Sequence, residues 1–201
     1  MKKVVLSIIL VCAFLMSCTK KEKSIYSSNL TNYESNKEYP YGKANEKSLK
    51  EIKTFDQLIG LCNCKSLQYD SNGNPGDTVA LKWRWKYILN GNGVQDDGWY
   101  GNDTIESAFT SIRILNPQTK KWQVPFFTPN MTRAPNIWIG GKEKENIVLK
   151  RPYTVQDSIQ VVSTLTFSNI SNKGFNWEGK SFFPQRNSSN VFWKIWCKKE
   201  E

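Results

Sequence analysis

The feature that most constrains the fold is an alternation of apolar and charged side chains from residue 82 to residue 89, in which Ile88 is the one apolar residue on the charged face. Aromatic residues and one leucine fall on one face and cations on the other: Trp83, Trp85, Tyr87 and Leu89 against Lys82, Arg84 and Lys86. Successive side chains of a β-strand point to opposite faces, so a period of two indicates a strand with one buried face. The run ends in Asn90-Gly91-Asn92-Gly93, residues that tolerate positive φ, which predicts a tight turn.

Similar short runs recur along the rest of the chain. They cover residues 108–115, 122–127, 138–139, 147–151, 161–167, 175–177 and 191–197, with Gly, Asn and Pro between many of them. A chain of about nine or ten short strands with frequent turn signals is typical of an antiparallel barrel or sandwich. Before them, Thr54 as N-cap, Phe55 and Leu58 on one side, and Gly60 as terminator predict one or two helical turns.

A set of short motifs resembles one family. In chain order the motifs are Phe-x-x-Leu-Ile-Gly from residue 55, Cys-Lys from 64, Trp-Arg-Trp-Lys-Tyr-Ile-Leu-Asn-Gly from 83, Ser-Ile-Arg-Ile-Leu-Asn-Pro-Gln-Thr-Lys-Lys-Trp from 111, Leu-Thr-Phe-x-Asn-Ile from 165, Gly-Phe-Asn-Trp from 174 and Trp-Lys-Ile-Trp-Cys-Lys-Lys from 193. Together they look like the bacterial calycin-like proteins, a family of undefined function. The resemblance implies an all-β, antiparallel, lipocalin-like barrel of about 8–10 strands with a short N-terminal helix. It implies no particular activity.

The N-terminus carries the features of an export signal. Lys2 and Lys3 precede a mostly apolar run, residues 4–16, which is too short to span a bilayer as a helix of about 20 residues. Leu15-Met16-Ser17-Cys18 then resembles the bacterial lipobox. We therefore predict a signal peptide over residues 1–17 and lipid attachment to Cys18, which would anchor the protein to a membrane of the cell envelope. No Asp follows Cys18, which favours the outer membrane, on its periplasmic or surface face.

Composition divides the remaining chain into two parts. Residues 18–52 are polar and aperiodic, which predicts a flexible tether, and residues 53–201 are long enough for one hydrophobic core. The formal charge of +10 falls to +8 when Lys2 and Lys3 leave with the signal peptide. An envelope location and the lack of a nucleic-acid-binding motif favour a solvated basic surface over nucleic-acid binding. A monomer is expected.

Histidine is absent, which removes the commonest general base and the commonest metal ligand. There is also no Gly-x-Ser-x-Gly motif, so no catalytic residue, metal or cofactor is assigned, and an enzyme is the least favoured class. Asp96-Asp97-Gly98, with Asp103 nearby, is interpreted as turn chemistry rather than as a calcium loop, because the ligand spacing of an EF-hand is missing.

Three cysteines remain in the domain: Cys62, Cys64 and Cys197. Three thiols allow one disulfide in an oxidising envelope, although three reduced cysteines or a zinc site are alternatives. The first and last strands of an up-and-down barrel are neighbours, so Cys197 can reach Cys62 or Cys64. The resemblance places Cys64 in the family's Cys-Lys strand and so favours the pair Cys64–Cys197.

An aromatic-rich lumen is the predicted ligand site. Its candidate residues are Trp83, Trp85, Tyr87, Arg113, Trp122, Trp138, Trp177 and Trp193. Arg113 would clamp an anionic group if Phe109, Ser111 and Leu115 face inward, and would lie in solvent if the opposite face does. The leading hypothesis is a lipoprotein that binds a small apolar or amphiphilic ligand. The alternative is a filled barrel that binds an envelope protein or cell-wall component, and a cavity of about 300 Å³ or more would favour the ligand.

Overall fold

The computed structural model describes residues 32–102, 104 and 107–200. The predicted signal peptide, Cys18 and residues 19–31 of the predicted tether lie outside the described residues. Within the described ranges, no helix is both long enough and apolar enough to span a membrane.

Ten antiparallel strands form a closed barrel. The strands are β1 (Gly60–Tyr69), β2 (Pro75–Ile88), β3 (Gly93–Tyr100), β4 (Ser107–Asn116), β5 (Lys121–Phe127), β6 (Asn136–Glu143), β7 (Asn146–Val155), β8 (Ile159–Ser171), β9 (Gly174–Phe183) and β10 (Ser188–Lys199). Each strand pairs with its neighbour in the chain, and β1 also pairs with β10. This closure leaves no exposed sheet edge. The predicted all-β antiparallel barrel is confirmed.

The alternation on β2 holds as far as the strand extends. Trp83, Trp85 and Tyr87 are buried in the lumen. Leu89 is 58% exposed because the strand ends at Ile88 and Leu89 adopts a φ of 54° in the turn. The prediction that Leu89 shares the buried face is therefore wrong.

A 3-10 helix at Lys50–Leu58, the plug helix, precedes the barrel and fills one end of its lumen. Its buried residues Ile52, Phe55 and Leu58 recur every three positions, the period of a 3-10 helix. The Phe55 ring contacts inward-facing rings of three strands, with centroid distances of 5.9 Å to Trp85, 5.1 Å to Trp122 and 6.1 Å to Phe167. The predicted short helix is thus present.

The plug helix begins earlier than the sequence predicts. Leu49 occupies the N-cap position, and Thr54 lies inside the helix, where its hydroxyl donates a hydrogen bond to the Glu51 carbonyl (2.6 Å). The N-cap prediction for Thr54 is therefore wrong.

The chain upstream of the plug helix docks on the turn between β2 and β3. The Tyr33 N–H donates to Asn90 Oδ1 (3.2 Å), and the Asn45 N–H donates to the Gly91 carbonyl (3.0 Å). Gly91 has a φ of +75°, and a Cβ there would lie 2.5 Å from the Lys43 carbonyl oxygen, so a glycine is needed at this contact. The residues that pack against the barrel therefore begin upstream of Lys53, where composition predicts the start of the domain.

The disulfide joins the first and last strands. Cys64 and Cys197 are direct cross-strand neighbours of β1 and β10 and are bonded to each other, as predicted. Cys62 is the free cysteine among the described residues; it is fully buried, and this burial raises the pKa of its thiol to about 11. A thiol that stays protonated and inaccessible is a poor nucleophile.

Candidate functional site

A cavity of about 140 Å³ lies inside the barrel beyond the plug helix. Its wall consists of rings and aliphatic side chains with one polar patch: Trp83, Phe109, Val124, Phe126, Trp138, Leu165, Trp177, Phe192, Trp193 and Ile195, with Asp96, Ser111 and Arg113. The half-buried members Phe126, Leu165, Phe192 and Trp193 form what we call the mouth. Along β2, Tyr87 and Trp85 contact the plug helix, and Trp83, farther from it, borders the cavity.

The predicted aromatic candidates divide between two halves of the lumen. Trp83, Trp138, Trp177 and Trp193 line the cavity. The others, Trp85, Tyr87 and Trp122, pack around the plug helix in the filled half, where the Tyr87 hydroxyl donates to the Ile52 carbonyl (3.2 Å) and also bonds Asp56. The structure brings four of the seven aromatic candidates to one cavity.

Arg113 faces inward from β4, together with Phe109 and Ser111. Its guanidinium forms an ion pair with Asp96, and the two side chains are 3% and 0% exposed. The Trp83 indole N–H donates to the second carboxylate oxygen of Asp96 (2.7 Å). The Arg113 guanidinium also lies 4.2 Å from the centroid of Trp85. Burial lowers the pKa of Arg113, and the adjacent carboxylate opposes this shift.

The sequence-based hypothesis paired Arg113 with an anionic group of the ligand. In the structure Asp96 takes that place. Because the two charges balance, the base of the cavity is polar but carries no net charge. An anion would have to displace or adjoin an internal carboxylate in order to reach Arg113, which is electrostatically unfavourable.

The interpretation of Asp96-Asp97-Gly98 as a turn is wrong, because these residues lie within β3. Asp96 points inward, and Asp97 points outward to Arg84 (2.8 Å). A Cβ on Gly98 would lie 2.2 Å from the Phe109 ring, so the glycine makes room for that ring. Asp103 lies outside the described residues, and the described part of the chain holds no group of three acidic, cysteine or histidine side chains suited to a metal.

A β-bulge on β10 shapes the mouth in a way that alternation does not predict. Val191 pairs with Lys180 and Trp193 pairs with Gly179, so Phe192 is an extra residue on its strand. As a result Phe192 and Trp193 both line the cavity, although they are adjacent in sequence. A Cβ on Gly179 would lie 2.4 Å from the Phe192 ring, which explains why a glycine stands opposite the bulge.

Comparison with solved structures supports the barrel fold. The crystal structure of Rv2717c from M. tuberculosis is similar to this chain, with a TM-score of 0.53 at 6% sequence identity, over 76% of this chain and 99% of that chain. At this identity the likeness shows the fold alone. No protein-family model matches the chain, and no curated protein matches it.

Proposed function

We propose that the barrel binds one small molecule with a compact apolar or aromatic body. The observation that carries this proposal is the aromatic-lined cavity of about 140 Å³. The cavity is smaller than the roughly 300 Å³ expected from the sequence for a drug-sized ligand, so that criterion is not met. An apolar cavity of roughly 150 Å³ nevertheless accommodates benzene. The ligand is thus about the size of one ring, so of the amphiphiles expected from the sequence only short ones without a long acyl chain fit.

The polar patch at the base of the cavity limits the orientation of this ligand. Ser111 offers a hydroxyl, and the Asp96–Arg113 pair offers charged groups that are already paired with each other. A neutral polar group of the ligand fits against this patch. A charged group does not, because it would lie beside a like charge, Asp96 for an anion and Arg113 for a cation. The apolar body then packs between Trp83, Trp138 and Trp177.

Filling the cavity is expected to abolish binding of a small aromatic probe. Leu165→Trp adds a ring at the mouth, and 2-phenylethanol binding to the full-length chain in detergent should weaken at least tenfold because the ring takes up the free volume. Thr164→Trp, at the next position of β8, is the matched control because adjacent strand residues point to opposite faces. Calorimetric titration measures both variants. Equal affinities for wild type and Leu165→Trp would contradict a ligand site in the lumen.

The alternative, a barrel that binds an envelope protein or cell-wall component, is favoured by the filled half of the lumen. There Phe55, Trp85, Trp122 and Phe167 pack ring against ring and leave no ligand space. The absence of any saturable binding of ring-sized probes to the wild-type chain would favour this second function.

The proposed setting is a calycin-like lipoprotein attached to the cell envelope through Cys18, which rests on the lipobox-like sequence and the motifs described above. Cys18→Ser should remove the acylated side chain, so the protein should leave the membrane fraction or keep its signal peptide. Cys12→Ser is the matched control, because Cys12 lies inside the signal peptide. Membrane fractionation with mass analysis checks both. A Cys18→Ser protein that stays membrane-bound at mature size would contradict the anchor.

A further inference from the structure

We propose that Arg151, above the cavity wall, binds an anionic group on the ligand, so that the ligand is a small aromatic or apolar anion. This inference rests on the proposed function. It assigns the anion to the mouth of the barrel, whereas the sequence suggested Arg113 in the interior.

The position of Arg151 follows from the alternation on β7. Leu149 is fully buried in the lumen, and Arg151 lies two residues farther along the same face, where it is half-buried. Its cross-strand neighbour on β8 is Ser163, which is also buried. The Trp138 indole N–H donates to the Ser163 hydroxyl (3.4 Å), and Trp138 lines the cavity. Arg151 is thus not itself part of the cavity wall, but it contacts that wall through the Trp138 ring.

Two rings hold the guanidinium of Arg151 in place. It lies 4.2 Å from the centroid of Tyr153 and 5.1 Å from the centroid of Trp138. Stacking on aromatic faces fixes the planar group and reduces the conformational entropy that a ligand would otherwise have to remove. The same Trp138 ring would contact the apolar body of the ligand. The cation and the apolar wall are therefore adjacent.

The charge of Arg151 is not balanced by a nearby carboxylate. Within the described ranges, no Asp or Glu oxygen lies within 4.0 Å of it, in contrast to Arg113 with Asp96 and Arg84 with Asp97. Its Nη1 donates to Asn136 Oδ1 (2.7 Å), while its Nε is buried and has no hydrogen-bond partner among the described groups. A guanidinium has five N–H donors in a fork that matches a carboxylate. Arg151 consequently has both unused charge and unused donors.

Within the described part of the chain, Lys150, the outward-facing neighbour of Arg151, lacks the aromatic contacts and the unpaired charge of Arg151. It is the adjacent residue on β7, it points outward, and its side chain is 52% exposed. Lys150 pairs with Glu143 at 3.3 Å in solvent, where the interaction is weak. The two cations are one residue apart, yet of the two it is Arg151 whose guanidinium lies over Trp138, a ring of the cavity wall.

The test compares phenylacetate with 2-phenylethanol, which share a ring and a two-carbon chain but differ in charge. The full-length chain in detergent should bind phenylacetate about tenfold more tightly, the order expected for a charge-assisted hydrogen bond. Arg151→Met should remove most of this difference and change 2-phenylethanol affinity less than twofold. Arg151→Lys should retain part of the preference, and Lys150→Met should leave both affinities unchanged.

The outcomes separate the inference from the proposed function. If neither probe binds the wild type, the cavity is not a ligand site, and both the proposed function and the role of Arg151 are rejected. If both probes bind but the wild type shows no preference for the anion, the function stands and the role of Arg151 is rejected, and this comparison requires no variant to fold. Equal losses for both probes in Arg151→Met also reject it, because they indicate a packing role.

Discussion

Asp96→Asn is expected to lower the free energy of unfolding by about 3–5 kcal/mol, because it leaves a buried arginine without its counter-charge. Arg113 is only 3% exposed, so bulk solvent does not take over the role of the lost carboxylate. Asparagine keeps the size of the side chain, which confines the change to the charge. Denaturant unfolding at pH 7, followed by indole fluorescence and fitted by linear extrapolation, measures the loss.

Asp97→Asn is the matched control for this prediction. Asp97 is the next residue on β3 and pairs on the outer face with Arg84, which is 40% exposed. Asp97 is 14% exposed and also lies 3.9 Å from Lys86, but its loss should cost only about 1 kcal/mol because both cations remain in contact with solvent. The double variant Asp96→Asn with Arg113→Met should lose less than the two single variants together, because no lone charge remains in the core. Equal losses for Asp96→Asn and Asp97→Asn would show that burial of the pair is unimportant.

The buried ion pair between Asp96 and Arg113 is a feature of the site that the sequence alone did not predict. Alternation predicts which residues share a face of β4, but both faces contain apolar residues, so it leaves the direction of Arg113 open. The deciding partner, Asp96, lies on the neighbouring strand inside an Asp-Asp-Gly triplet that is typical of a turn. Val94, Asp96, Gly98 and Tyr100 alternate with their neighbours, and this period of two could have indicated a strand with Asp96 on its inner face. A carboxylate at a core position hides this alternation unless the arginine that pairs with it is already known.

The fold itself was predictable because most strands carry the period of two and are separated by turn residues, although β3, which contains Asp96-Asp97-Gly98, was not recognised in this way. Two other features were not. The segment near Tyr33 and Asn45 docks through a mixture of backbone and side-chain hydrogen bonds, which follow no periodic pattern in the sequence. The size of the cavity depends on how far Phe55 enters from a preceding helix and on the bulge at Phe192. A sequence states which side chains point inward, but not how completely they fill the lumen.

Loss of the Cys64–Cys197 disulfide is expected to destabilise the protein by about 5 kcal/mol in the chain-entropy model, because the bridge closes a very long loop. The two residues are 133 positions apart in sequence, and they join the strands where the barrel closes. Most of this effect arises in the unfolded chain, which the bridge restricts by tying together its two ends. The double variant Cys64→Ala with Cys197→Ala removes the bridge without leaving a partner thiol, and denaturant unfolding measures the loss.

Cys62→Ala is the matched control for the disulfide. Cys62 lies two residues from Cys64 on the same face of β1 and is buried, but it forms no bridge. Its replacement should cost only about 1 kcal/mol, the value of one small buried group. Dithiothreitol should lower the stability of the wild type to that of the double variant and leave the double variant unchanged, which separates the bridge from side-chain packing. A Cys62→Ala loss as large as that of the double variant, or a wild type insensitive to the reductant throughout unfolding, would mean that packing between β1 and β10 holds the barrel closed without the bond.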